Sequence, residues 1–199
     1  MVNNRLAYHF FFEFAVFFFG LGIFMVPSVI PFNWWIVPLV SGLLFLAEQR
    51  RSTRSNVKIA LIVGLFLMIF DFAFENIGTL VFGLWGTSGS SLFIIAVPIE
   101  VMITCFLGGA AWALYIMSAH AMLLSKLKSR FGYILRYFVG LDILFFGMGG
   151  ATAEWCLIQR SAMYYAKGWT SIHAFVAYSA TWLLLHVVLR ALTRRKQGI

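Results

Sequence analysis

Residues 57–84 read VKIALIVGLFLMIFDFAFENIGTLVFGL, and this stretch decides the fold class. Nearly every residue in it is apolar, and a helix of about 20 such residues crosses the hydrocarbon core of a bilayer. Two carboxylic acids, Asp71 and Glu75, interrupt the apolar run one helical turn apart. The stretch therefore predicts a membrane-spanning helix that carries a polar site within the membrane.

The rest of the chain has the same character. Its 199 residues are 62% hydrophobic and 11% charged, whereas soluble domains are about 45–50% apolar and about a quarter charged. Five more apolar segments, over about residues 7–27, 36–48, 92–124, 137–158 and 169–192, bring the predicted spans to six. We therefore expect an all-α polytopic transmembrane bundle that forms a single domain over residues 1–199.

The basic residues predict the orientation of this bundle. Of the 15 Lys and Arg residues, only Arg160 and Lys167 follow the fifth span, and the other 13 precede the first span or follow the second, fourth and sixth. Cytoplasmic loops carry the excess of Lys and Arg, so both termini are predicted to be cytoplasmic in the cell inner membrane or an equivalent membrane. Topology accounts for the net charge of +8, and we expect no nucleic acid as a partner.

Six of the seven carboxylates fall within predicted spans: Glu13, Asp71, Glu75, Glu100, Asp142 and Glu154. A charge at the bilayer centre costs about 2.5–3.5 kcal/mol on insertion scales, so these acids are not expected to face lipid. No Lys or Arg lies deep in a predicted span, and burial without a cation favours the neutral form of an acid. The set predicts a polar cavity, and the alternative is that the acids hydrogen-bond neighbouring helices and hold the bundle together.

Depth within the membrane groups some of these residues. At 1.5 Å per residue, Asp71 lies about 20 Å and Glu75 about 26 Å from Lys58, in the outer half of the bilayer. The same arithmetic places Glu100, Glu154 and His173 in that half. Asp71 and Glu75 share one helix face, and two such acids in a low dielectric do not both ionise. One is therefore a candidate proton donor and the other an acceptor.

The side chains predicted to bind a substrate surround these acids. Asn76 adjoins Glu75 and can orient it by hydrogen bonding, and Glu154 and His173 lie at a similar depth. Aromatic faces stabilise cations, so Trp85, Trp112 and Trp155 are predicted to line a pocket for a long unsaturated chain. The alternative for these rings is that they face lipid.

A metal site is the other use that these residue types allow. Imidazole and carboxylate groups suit iron, manganese or zinc, and His173 with Glu75, Glu100 and Glu154 would supply them. No HxxxH or ExxH spacing supports such a site. We therefore predict no metal ligands and no cofactor.

The segment from Asp71 to Tyr115 contains Asp71, Glu75, Gly78 and Trp85, then a small polar loop and the run Val97-Pro98-Ile99-Glu100. This segment resembles the membrane-embedded lycopene cyclase domain of bacteria, archaea and fungi. The resemblance implies an enzyme of carotenoid biosynthesis that makes no redox change, with Asp71, Glu75 and Glu100 as its acids. A relative that acts on another polyprenoid, such as a carotenoid hydratase, is compatible with the same residues.

Three functions remain open at this point. The leading hypothesis is an intramembrane lyase or isomerase, in which a protonated carboxyl group adds a proton to a C=C bond of an apolar isoprenoid. The second is a proton-coupled transporter of a small or lipid substrate, in which the acids form a relay. The third is an accessory subunit of a larger membrane complex. The expected partners are membrane lipid or the isoprenoid substrate, together with a homo-oligomer or a membrane complex.

Overall fold

The computed structural model describes residues 33–90, 92–126 and 131–197. Five α-helices occupy most of these residues: α1 (Ile36–Gln49), α2 (Arg54–Asn76), α3 (Ile99–Lys126), α4 (Phe131–Gln159) and α5 (Ser171–Gln197). Within the described residues, four segments are long and apolar enough to cross a membrane, over Arg54–Phe82, Ile99–Ser118, Val139–Gln159 and Ser171–Arg194. The helical, membrane-spanning class is thus confirmed for these four. The predicted span over residues 7–27, with Glu13, lies outside the described residues, and six spans with cytoplasmic termini stay a prediction.

Helix α1 is short, as its sequence predicts. Its 14 residues give a length of about 21 Å, which is less than the hydrocarbon thickness of about 30 Å. The helix begins directly after Trp34 and Trp35. The Trp34 indole is buried and donates to the Ser88 carbonyl oxygen at 2.9 Å, which ties the start of α1 to a distant loop.

Helix α2 extends beyond its α-helical part. The Thr53 hydroxyl caps its start by accepting a hydrogen bond from the Asn56 backbone N–H. After Asn76 the chain continues as a π-helix, Ile77–Phe82, which ends at Gly83 with a φ of 61°. Glycine adopts this left-handed conformation without a steric cost. Gly83 therefore lets the chain turn back toward the bundle at the end of the span.

The start of α3 differs from the prediction. The span predicted from residue 92 is a hairpin over its first residues, because β2 (Phe93–Ile94) pairs antiparallel with β3 (Val97–Pro98). Proline lacks an N–H and disfavours helical backbone at the residue before it. Pro98 therefore keeps Val97 extended, and the helix begins at Ile99.

The helices pack in two groups. Helix α3 lies against both α1 and α2, α4 pairs with α5, and contacts between α2 and α5 join the groups. Small residues bring the helices close: a Cβ on Gly64 would lie 2.2 Å from the Phe106 carbonyl oxygen, and one on Gly150 would lie 2.3 Å from the Tyr178 ring. These glycines are therefore packing sites between neighbouring helices.

Two short antiparallel ladders add strands that the all-α prediction did not include. One is the β2–β3 hairpin, and in the other β1 (Trp85–Thr87) pairs with β4 (Met163–Tyr165). The β1–β4 ladder joins the loop after α2 to the loop between α4 and α5. It closes one end of the bundle, opposite the end that carries the loop between α1 and α2. Strands of two or three residues offer little alternation, which is why periodicity did not reveal them.

Candidate functional site

The β1–β4 ladder positions two hydrogen-bond donors over two acids. Trp85 and Tyr165 are direct cross-strand partners, and side chains of such a pair project from the same face of the ladder. The Trp85 indole N–H donates to Glu75 Oε2 at 2.6 Å, and the Tyr165 hydroxyl donates to Glu154 Oε2 at 2.5 Å. One ladder pair thus orients a carboxylate on α2 and a carboxylate on α4.

Glu154 receives a second donor from α5. The Tyr178 hydroxyl also hydrogen-bonds Glu154, and the Tyr178 ring packs on Gly150 of α4. Tyr165 lies in β4, outside the membrane spans, where burial and the hydrogen bond to Glu154 raise its pKa. Tyr165 therefore remains a protonated donor at neutral pH.

Asp71 lies one helical turn before Glu75 and interacts with α3. Its carboxyl group hydrogen-bonds the Cys105 thiol, whereas its Oδ2 atom is buried without a hydrogen-bond partner among the described residues. Asp71, Glu75 and Glu154 interact electrostatically with one another. All three also interact electrostatically with Tyr178. We call Asp71, Glu75, Cys105, Glu154 and Tyr178 the acid cluster, and its members come from all four candidate membrane-spanning segments.

Aromatic rings adjoin the acid cluster. Trp85 stacks on Phe74 at 5.5 Å and contacts Trp169 at 4.6 Å between ring centroids. The stack continues down α2, because Phe66, Phe70 and Phe74 recur every four residues with centroids 6.1 and 6.3 Å apart. Rings therefore form a continuous row beside Asp71 and Glu75.

Glu100 and Asn76 contact the loop that precedes α3. The buried Glu100 carboxylate accepts a hydrogen bond from the Ser90 hydroxyl at 2.6 Å. Asn76 donates to the Phe72 carbonyl oxygen and accepts from the Ala96 backbone N–H at 3.1 Å. Both residues thus hold the chain between β1 and α3 in place.

The other predicted binding residues lie in different surroundings. The Trp112 indole N–H donates to Asp142 of α4, which is not a member of the acid cluster. Trp155 follows Glu154 in sequence, but its side chain is 45% exposed. His173 lies in the first turn of α5. Its Nδ1 hydrogen-bonds Thr170, and its ring stacks on Trp169 at 5.3 Å. Of the predicted binding residues, Glu154 belongs to the acid cluster, and Trp85 hydrogen-bonds Glu75 of the cluster.

Sequence reasoning missed several residues of the site. Cys105, Tyr165 and Tyr178 are neutral, so they give no signal of insertion cost within an apolar run. The pairing of Asp142 with His186 was also missed, with Asp142 Oδ2 lying 2.7 Å from His186 Nε2. Their similar distances from Arg136 and Arg190 in the sequence were a signal that could have revealed this pair.

The chemistry available at the acid cluster is proton transfer. The cluster contains three carboxyl groups, a thiol and a phenol, and the Trp85 indole donates to one of the carboxyl groups. Among the residues that the structure describes, no three His, Cys, Asp or Glu side chains are arranged to hold a metal ion. Comparisons with protein-family models, with curated proteins and with solved structures find no match to this chain.

Proposed function

We propose that this protein is an intramembrane enzyme that uses carboxyl groups as acid and base on a C=C bond of an apolar isoprenoid. The convergence of Asp71, Glu75 and Glu154 beside aromatic rings is the observation that supports this proposal. Two like charges one turn apart within a membrane are costly, so at least one acid of the Asp71–Glu75 pair carries a proton. Glu100 stays a proposed acid on its predicted depth and on the resemblance.

Asp71 is the proposed proton donor, because its Oδ2 atom has no partner within the described residues. In the first step the Asp71 carboxyl gives its proton to one carbon of the double bond. The π electrons form the new C–H bond and leave a carbocation on the other carbon. Nearby aromatic faces, among them Trp85 and Trp169, favour a cation.

Glu75 is the proposed proton acceptor. Its Oε2 atom is held by Trp85, so the carboxylate is already oriented when the cation forms. Loss of an adjacent C–H proton to Glu75 re-forms a double bond and gives isomerisation or cyclisation. Addition of water, with its proton passing to Glu75, gives hydration instead. Neither outcome needs an oxidant or a reductant.

Conversion of an acyclic polyprenoid in membranes tests this function. Membranes that contain the wild-type protein should yield a product of equal mass, or of one added water, by mass spectrometry. Asp71→Asn should lower product formation by roughly 10²–10⁴-fold, as loss of an acid–base group does. Glu48→Gln, at the end of α1 and away from the cluster, is the matched control. Equal turnover by folded Asp71→Asn protein would refute the assigned donor.

A further inference from the structure

Gly78 lies directly beneath the indole ring of Trp85. It is the second residue of the π-helix that continues α2, and it follows Glu75 by three residues, so the two lie on one face of the helix. A Cβ atom on Gly78 would lie 2.8 Å from Trp85 Cε2 and closer still to Cζ2 and Cη2. Because Cβ atoms do not approach ring atoms this closely, only a residue without a side chain fits beneath the ring.

The edge of the ring that rests on Gly78 is the edge that carries the N–H group. Cε2 is bonded directly to Nε1, and Nε1 donates to Glu75 Oε2 at 2.6 Å. An added Cβ would push the ring outward by more than about 1 Å before an ordinary van der Waals contact is reached. N–H···O hydrogen bonds extend to about 3.2 Å, so a ring lifted off the helix by that distance loses its bond to Glu75.

The other surroundings of Trp85 hold its ring in this position. Trp85 is almost fully buried, Phe74 stacks on its ring, and Trp169 contacts it at 4.6 Å between centroids. Its backbone is paired with Tyr165 in the β1–β4 ladder. Trp85 therefore cannot turn aside for a side chain at residue 78 without losing these contacts.

The Gly78 backbone also shapes the turn that leads to Trp85. Its carbonyl oxygen accepts from the Gly83 N–H and from the Leu84 N–H, the latter at 2.9 Å. These two bonds end the π-helix and direct the chain toward β1. A π-helical turn within an α-helix is rare and frequently marks a functional site.

The contact with Trp85 accounts for glycine at this position. Gly78 does not adopt the left-handed backbone that requires glycine at Gly83. Glycine inside a helix is unfavourable relative to alanine, so backbone conformation and helix propensity would both permit alanine at residue 78. The close approach of the indole ring does not.

We infer that Gly78 is a positioning residue of the acid cluster, because its missing side chain lets the Trp85 indole N–H reach Glu75 and fix that carboxylate. The inference rests on the proposed function, in which Glu75 accepts the proton. With Oε2 held by the indole, Oε1 is the oxygen left to take up a proton. Gly78 thus acts on the reaction through Trp85.

The indole N–H signal of Trp85 tests this placement without any substrate. The full chain is labelled with ¹⁵N-tryptophan and studied by NMR in detergent, and Trp85→Phe identifies the signal among those of the seven tryptophans. Glu75→Leu removes the acceptor and should move the indole proton signal upfield. Gly78→Ala should move it in the same direction. Gly140→Ala is the matched control, because an added Cβ there meets no described atom within 4 Å, and it should leave the signal unchanged.

Turnover tests the role of Gly78 in the reaction. In the polyprenoid assay, Gly78→Ala should lower kcat by up to about 10²-fold, as a misplacement of about 1 Å does, with KM unchanged. The double variant Gly78→Ala/Trp85→Phe should be no slower than Trp85→Phe alone, because both changes remove the same hydrogen bond. A merely structural role would lower the yield of folded protein and leave kcat unchanged.

If Gly78→Ala fails to fold, the double variant decides. The phenylalanine ring ends short of the six-membered ring that meets the added Cβ, so Gly78→Ala/Trp85→Phe should fold. Failure of the double variant as well would overturn the inference, as would an unmoved Trp85 signal or wild-type kcat in folded Gly78→Ala protein. A wild-type protein without turnover would refute the proposed function instead, and the NMR signal would still decide whether Gly78 positions Trp85.

Discussion

At the residue scale, the site depends on which donor each acid has. Glu75 and Glu154 each accept a hydrogen bond from one member of the Trp85–Tyr165 pair, whereas Asp71 has an oxygen with no partner in the part of the chain that the structure describes. Identical functional groups therefore differ in the atoms that remain available for proton exchange. This difference is the basis for naming Asp71 as donor and Glu75 as acceptor.

Trp85→Phe tests the orientation of Glu75. Phenylalanine keeps a ring against Phe74 and Trp169 but removes the indole N–H, and a buried acceptor left without its donor costs about 1–3 kcal/mol. We expect a lower thermal unfolding temperature in detergent together with lower turnover. Trp35→Phe, whose side chain is 47% exposed, is the control and should change neither quantity. Wild-type turnover in Trp85→Phe would show that this hydrogen bond does not orient a reacting group.

Glu100→Gln tests the acid that the depth arithmetic and the resemblance both select. The amide keeps the shape of the side chain and can still accept a hydrogen bond from Ser90, so the fold should persist. If Glu100 is an acid in the reaction, turnover falls by roughly 10²–10⁴-fold. Glu100→Leu should lower stability as well. A silent Glu100→Gln with a destabilised Glu100→Leu would assign Glu100 to loop anchoring alone.

Depth arithmetic explains which parts of the site the sequence could predict. The rise per residue in a helix is fixed, so counting from Lys58 and from Arg136 predicted that Asp71, Glu75 and Glu154 share the outer half of the bilayer with Glu100 and His173. In the structure Asp71, Glu75 and Glu154 interact electrostatically. The same counting, applied along α3, places Trp112 about 18 Å from Glu100, which separates it from residues near the outer end. Tyr165 could not be predicted, because its position depends on pairing with a strand 80 residues away.

At the element scale, helix contacts depend on glycines that differ in their surroundings. A methyl group on Gly64 would collide with the Phe106 backbone carbonyl of α3, whereas one on Gly140 would meet no described atom within 4 Å. Both glycines lie within helices. Alanine substitution at the two positions therefore distinguishes the effect of helix propensity from the effect of close helix packing.

Gly64→Ala should lower the stability of the protein, whereas Gly140→Ala should not. The collision at Gly64 forces α2 and α3 apart, so its variant should unfold at a lower temperature. Gly140→Ala should be neutral or stabilising by about 0.4–1 kcal/mol, because it restricts the unfolded chain at a compatible site. Thermal unfolding in detergent measures both. Equal destabilisation by the two changes would refute the close α2–α3 contact.

Element boundaries were predictable where the apolar runs ended in clear signals. Helix α1 agrees with its predicted range to within one residue, because tryptophans precede it and arginines follow. The predicted start of α3 at residue 92 was wrong, because the helix begins seven residues later at Ile99. An apolar hairpin and an apolar helix have the same composition. Only Pro98 distinguished them, through its effect on the preceding residue.

At the scale of the whole molecule, two polar layers occupy a bundle with apolar outer faces. Long apolar side chains on α1, α2 and α5 are more than half exposed, among them Leu43, Ile69 and Val187, and these surfaces suit lipid. The acid cluster lies near the end closed by the β1–β4 ladder, and the Asp142–His186 pair lies deeper. The predicted orientation places the ladder on the outer side.

Cysteine labelling tests this orientation in intact cells. Ser88→Cys and Gly168→Cys lie in loops at the ladder end, and Ser52→Cys lies between α1 and α2 at the opposite end. A membrane-impermeant maleimide should label the first two variants from outside and should label Ser52→Cys only after lysis. The wild-type protein is the background control. Labelling of all three from outside would contradict the predicted arrangement.

Deuterium incorporation from solvent tests the central claim most directly, because protonation of carbon leaves a solvent hydrogen in the product. The isoprenoid is converted in D₂O by the wild-type protein, and the product is analysed by mass spectrometry and NMR. We predict one deuteron at the carbon that receives the proton, with incorporation lost in Asp71→Asn and retained in Glu48→Gln. A product that forms in D₂O without deuterium on carbon would contradict the acid–base account.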